Sequence, residues 1–124
     1  MISSLDNKRA IYIDSDNKAD IIAYINRDKR HKKKFDHIVD IILGGYRNCN
    51  LYDKEDINSK CKDVTAMKFF KGQENDRIYC KEIKTNKGIL VVVTAILHER
   101  KKSNSLSQKE INLIEAVGGY NYEI

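Results

Sequence analysis

GILVVVTAILHERKKS, Gly88 to Ser103, decides the fold and most of the functional reading of this chain. Seven of the eight residues from Ile89 to Ile96 are apolar, with Thr94 the exception, and β-branched residues dominate. That composition suits a central strand covered on both faces. The residues that follow, His98, Glu99, Arg100, Lys101 and Lys102, cannot be buried together without a large desolvation cost. A rigid strand that runs straight into three cations and an imidazole is a means of aiming them at a polyanion.

The strands before it are read in the same way. Val64 to Phe70 and Arg77 to Lys84 carry strand composition, and the links KGQEND (Lys71 to Asp76) and TNKG (Thr85 to Gly88) are hairpin-length and rich in turn residues. Three antiparallel strands in a row are therefore expected. Upstream, RAIYID (Arg9 to Asp14) predicts a short first strand, followed by N-cap oxygens at Asp14, Ser15 and Asp16. Ile21, Ile22, Tyr24 and Ile25 then recur at helical spacing to about Arg30. A second helical set runs from Phe35 to Leu43 and closes at Gly44 and Gly45. With no proline in the chain, two angled helices and one bent helix both fit, with the break near His31. Tyr46 to Asp63 reads as a long irregular segment. Ser107 and Glu110 form a capping box for a last helix to Val117, ended by Gly118 and Gly119.

These elements predict one α+β domain over 1–124: a small antiparallel sheet, an N-terminal helical pair on one face, and a C-terminal helix. The second sheet face is expected to be free for a ligand. At 124 residues and 41% hydrophobic content the chain can bury a core without metal or disulfide staples. Its net charge of +5 favours an anionic partner. The charge is uneven, since RDKRHKKK (Arg27 to Lys34) holds six Lys or Arg against one Asp. Three cysteines without a CxxC pair or a His at zinc spacing predict a reduced compartment and no metal site. MISSLDNKRA lacks the apolar run of a signal peptide, and no apolar stretch is long enough to span a bilayer, so a cytoplasmic protein without a membrane partner is expected.

Three segments resemble the RelE/HigB-type toxins of bacterial type II toxin–antitoxin systems. AMKFFKG (Ala66 to Gly72) is similar to the strand that places a lysine before a tight turn. DRIYCKEI (Asp76 to Ile83) is similar to the strand that opens with an arginine. VVVTAILHERKKSNSLSQKEI (Val91 to Ile111) is similar to the family's apolar strand, histidine, paired lysines and Lys-Glu-Ile helix. The spacer Ser103-Asn104-Ser105-Leu106 departs from the threonine and proline usual in the HigB-like branch. The resemblance implies a RelE-like fold and a cofactor-free endoribonuclease that cuts mRNA, commonly on the ribosome, and is neutralised by a cognate antitoxin.

Metal-free RNA cleavage drives the ribose 2′-OH against its own 3′-phosphate. It needs fixed cations for the phosphate, a base and an acid. Lys68, Lys71, Arg77, His98 and Lys101 are the catalytic candidates, because strand geometry brings them towards one sheet end. Arg100 and Lys102, with Arg30, Lys32, Lys33 and Lys34, are the RNA-binding candidates. Tyr79 fits core packing better than base stacking, and Cys80 has no neighbouring base that would make it a nucleophile. The same cations also suit a non-catalytic RNA- or DNA-binding module, or a domain docking an acidic protein.

Overall fold

The computed structural model describes residues 2–55, 57–70, 74–99 and 107–122. Six strands and three α-helices follow in the order β1 (Ile2–Ser3), β2 (Arg9–Ile13), α1 (Lys18–Ile25), α2 (Lys29–Gly44), β3 (Tyr52–Lys54), β4 (Val64–Phe69), β5 (Asp76–Lys84), β6 (Leu90–His98) and α3 (Gln108–Gly118). A 3-10 turn, Ser59–Cys61, stands between β3 and β4. The strands form one sheet in the order β1-β2-β6-β5-β4-β3.

The α+β class and the three successive antiparallel strands are as the sequence predicts. The sheet as a whole is mixed, because β2 pairs parallel to β6, Arg9 opposite Leu90 through Ile13 opposite Thr94. The reason is the connection: two helices and three strands separate β2 from β6, a crossover long enough to return the chain in parallel. Two strands were not visible in the sequence. β1 is two residues long, and β3 lies inside the segment expected to be irregular, paired antiparallel to β4.

The helical break falls at residues 26–28, earlier than His31. Asp28 has extended backbone and its carboxylate accepts from the His31 backbone N–H, which caps α2. Gly45 ends α2 at φ +70, a left-handed conformation in which a side chain would be strained. His31 itself is buried, edge-on to the rings of Tyr24 and Phe70.

Both faces of the sheet are covered. On one face α1 and α2 pack Ile21, Tyr24, Ile25, Phe35, Ile38 and Ile42 against Met67, Phe69, Ile78, Cys80 and Val92. On the other, Ile114 and Val117 of α3 pack against Val64, Ala66, Tyr79 and Ala95. The expectation of a free second face is therefore corrected: the apolar side of α3 needs a partner, and the sheet supplies it. Contact is close at Gly118, where an added Cβ would lie 2.1 Å from the Lys60 carbonyl oxygen. The Lys81 ammonium donates to the carbonyls of Gly118 and Tyr120 and so ties the end of α3 to β5.

Candidate functional site

Three of the predicted residues stand in a single row. Lys68 on β4 is directly opposite Arg77 on β5, and Arg77 is directly opposite His98 on β6. Cross-strand partners share a face, so all three side chains belong to the α3 side of the sheet.

A β-bulge makes the row. From Lys84–Leu90 to Cys80–Thr94 the β5–β6 pairing keeps one register, which shifts between Tyr79 and Cys80 so that Tyr79 meets Ile96. Ala95 is the extra residue. Were Ala95 paired with Tyr79 in an unbroken register, Leu97 would oppose Arg77 and His98 would point to the α1/α2 face, since a one-residue slip inverts every side chain. The bulge thus places an imidazole, instead of a leucine, beside the arginine.

Arg77 is only 7% exposed, and its Nη1 lies 3.6 Å from Oε1 of Glu55, just past the end of β3. Its Nε is buried and meets no acceptor among the described residues. The Tyr79 hydroxyl, also buried on this face, likewise meets no partner among the described residues. Burial pushes the Tyr79 phenol well above its ordinary value; nearby Glu110 and Glu55 push the same way, and Arg77 opposes them. The Tyr79 ring stacks at 6.3 Å on the His98 imidazole. Lys68 is mostly covered as well. Its ammonium donates to the Cys49 carbonyl at 2.9 Å and lies 3.8 Å from Asp53.

Glu55 is the residue that sequence reasoning missed. A carboxylate beside a buried arginine and on the histidine's face can take a proton. The signal was weak, because Glu55 sits in a polar run whose strand pairing the sequence does not reveal. Lys71, Lys101, Arg100 and Lys102 lie outside the described residues.

The other candidates separate by position. Asp76, next to Arg77, points to the opposite face and accepts from the Tyr24 hydroxyl at 2.6 Å. Burial and that acceptor push the Tyr24 phenol far up. Arg30, Lys33 and Lys34 share one side of α2 and line a groove with His37 and Phe70, away from the row. Lys32 lies on another side of the helix, paired to Asp36 at 2.8 Å. The sheet therefore brings Lys68, Arg77 and His98 together and leaves the α2 cations as a separate patch. Cys80 is fully buried, and its thiol is pushed up by that burial, which removes it as a nucleophile.

Among the described residues no group of three or more His, Cys, Asp or Glu side chains could hold a metal, and no helix is long and apolar enough to cross a membrane. No family model, curated protein or solved structure matches the chain.

Proposed function

We infer that the chain is a metal-independent endoribonuclease of the RelE/HigB type, acting as a toxin on mRNA, with the ribosome as its setting and a cognate antitoxin as its restraint. One observation carries the reading: Lys68, Arg77 and His98 stand in register, and the arginine at their centre has a buried N–H without an acceptor among the described residues. A buried donor of this kind is costly in a purely structural role and suits an incoming oxyanion.

In this scheme Arg77 binds the scissile phosphate through its planar fork, with Lys68 adding positive charge along the row. Glu55 accepts the proton of the 2′-OH as the 2′-oxygen bonds to phosphorus. Protonated His98 gives its proton to the departing 5′-oxygen as the P–O5′ bond breaks. The products are a 2′,3′-cyclic phosphate and a 5′-hydroxyl, and the two proton transfers balance. Arg77 meets the charge that gathers on the phosphate, the largest single source of stabilisation in such a reaction.

A second reading is favoured by the cover over the row. Arg77 and Glu55 are both deeply shielded and face one another, as a structural ion pair would, and a non-catalytic nucleic-acid-binding module accommodates that. Expression of the chain alone in a bacterial host separates the two. The toxin reading expects growth arrest with fragmented mRNA, relieved in Arg77→Ala and His98→Ala. Unimpaired growth at confirmed soluble expression contradicts it.

A further inference from the structure

We propose that Arg30 is a stacking platform for an unpaired nucleobase, and that the α2 groove around it holds a second part of the RNA strand, on the other side of the sheet from the row. The inference rests on the reading of the row as an RNA site and assigns a second subsite to it.

Arg30, Lys33, Lys34 and His37 recur at i, i+3, i+4 and i+7 and so share one side of α2. With Phe70 they line a groove of about 450 Å³, large enough for one nucleotide. The guanidinium of Arg30 does not wave in solvent. Its carbon lies 3.8 Å from the centroid of the Phe70 ring, and its Nη2 donates to Glu74 at 2.8 Å. One surface of the plane is thus backed by an aromatic ring and one edge is anchored by a carboxylate. The side chain is still 49% exposed.

A planar cation fixed in this way suits the flat side of a base, since unpaired bases stack on arginine planes as well as on aromatic rings. Lys33 and Lys34 on the same side supply point charges for the phosphates. Phe70 itself is held in place by backbone geometry. Its φ of +55 is one that bulky side chains rarely adopt, and it turns the ring out of the strand towards Arg30 and His31.

The groove lies on the α2 side of the sheet and the row on the α3 side, and β4 joins them. Phe70 lies two residues beyond Lys68, about 7 Å along the chain at strand rise. A duplex keeps its bases stacked inside and has none to offer the platform. The substrate class is therefore single-stranded RNA.

Binding to the His98→Ala full-length chain tests this without cleavage. The probes are an unstructured adenylate oligomer of about 12 nucleotides, an abasic oligomer of the same length, a matched duplex and a polyglutamate of equal charge. Arg30→Lys, which keeps the charge and loses the plane, should weaken adenylate binding about tenfold at unchanged salt dependence, with no effect on the abasic oligomer. Lys33→Gln with Lys34→Gln should lower the salt slope by about 0.7 for each lysine. Adenylate affinity within roughly twofold of the parent in Arg30→Lys overturns the proposal, provided thermal melting shows the variant folded. So does duplex or polyglutamate binding as tight as that of the adenylate oligomer. An Arg30 effect in a chain that never cuts RNA would remove the cleavage reading and leave this one standing.

Discussion

The two faces of the sheet bury polar groups in opposite ways. On the α1/α2 face the buried hydroxyls have partners: Tyr24 donates to Asp76, Thr65 to the Tyr52 oxygen, Tyr52 to Glu82, and Thr94 to the Tyr12 carbonyl. On the α3 face, Arg77 Nε and the Tyr79 hydroxyl have none among the described residues. The first face is what a stable fold requires, because a buried polar group without a partner costs about 1–3 kcal/mol. The second departs from that rule at one place, beside the row of Lys68, Arg77 and His98. Such departures concentrate where a protein binds or reacts.

Mutations on the two faces should act in different ways. The largest effect is expected on the well-packed face. Ile78, fully buried under α1 and α2, should lose about 2–5 kcal/mol on substitution by alanine, as read from chemical denaturation. A loss under about 1 kcal/mol would mean that this face is not the main support of the fold.

Gly118→Ala should cost about 1–3 kcal/mol, because its new methyl would run into the Lys60 backbone and lift α3 from the sheet. Unchanged stability would show that α3 covers the second face only loosely. Tyr79→Phe should move the other way, gaining about 1 kcal/mol by removing a buried hydroxyl without a partner. The equivalent Tyr24→Phe should destabilise, since it removes a donor from the buried Asp76 carboxylate. If both tyrosine variants destabilise equally, the contrast between the faces fails.

The smallest effect belongs to acid titration at the hairpin end. Arg30 holds the Glu74 carboxyl below its ordinary 4.5, and the His31 ring and backbone N–H hold Asp28 below 3.8. Both folded values are depressed, so the contribution is present above the ordinary values and is lost as pH falls through the lowered ones. Both groups are exposed, so melting temperature should fall only slightly faster below about pH 4 in the parent than in Glu74→Gln. Identical acid profiles would contradict the Arg30–Glu74 anchor.

Much of the fold was legible because strand composition and turn length are local properties. The hairpin links at 71–76 and 85–88 order β4, β5 and β6, and the Ser107–Glu110 box places the start of α3. That order put Lys68, Arg77 and His98 at one sheet end. Their exact alignment was not legible, because it depends on the extra residue at Ala95, and no local signal distinguishes a bulged alanine from a paired one. Glu55 was hidden for a related reason. It reaches Arg77 only because a three-residue strand, Tyr52–Lys54, pairs with β4 across the 3-10 turn. The parallel join of β2 to β6 is likewise a property of the whole chain path rather than of either strand.

The ends left on a cut RNA report how the row acts. The purified chain, alone and in a translating extract, is incubated with a defined mRNA, and the termini of the fragments are mapped. Cleavage by Glu55, Arg77 and His98 predicts 2′,3′-cyclic phosphate and 5′-hydroxyl ends, with rates reduced about 10²-fold or more in Arg77→Ala, His98→Ala and Glu55→Gln. Ends bearing a 5′-phosphate, or parental rates in the folded Arg77→Ala and His98→Ala proteins, would contradict it.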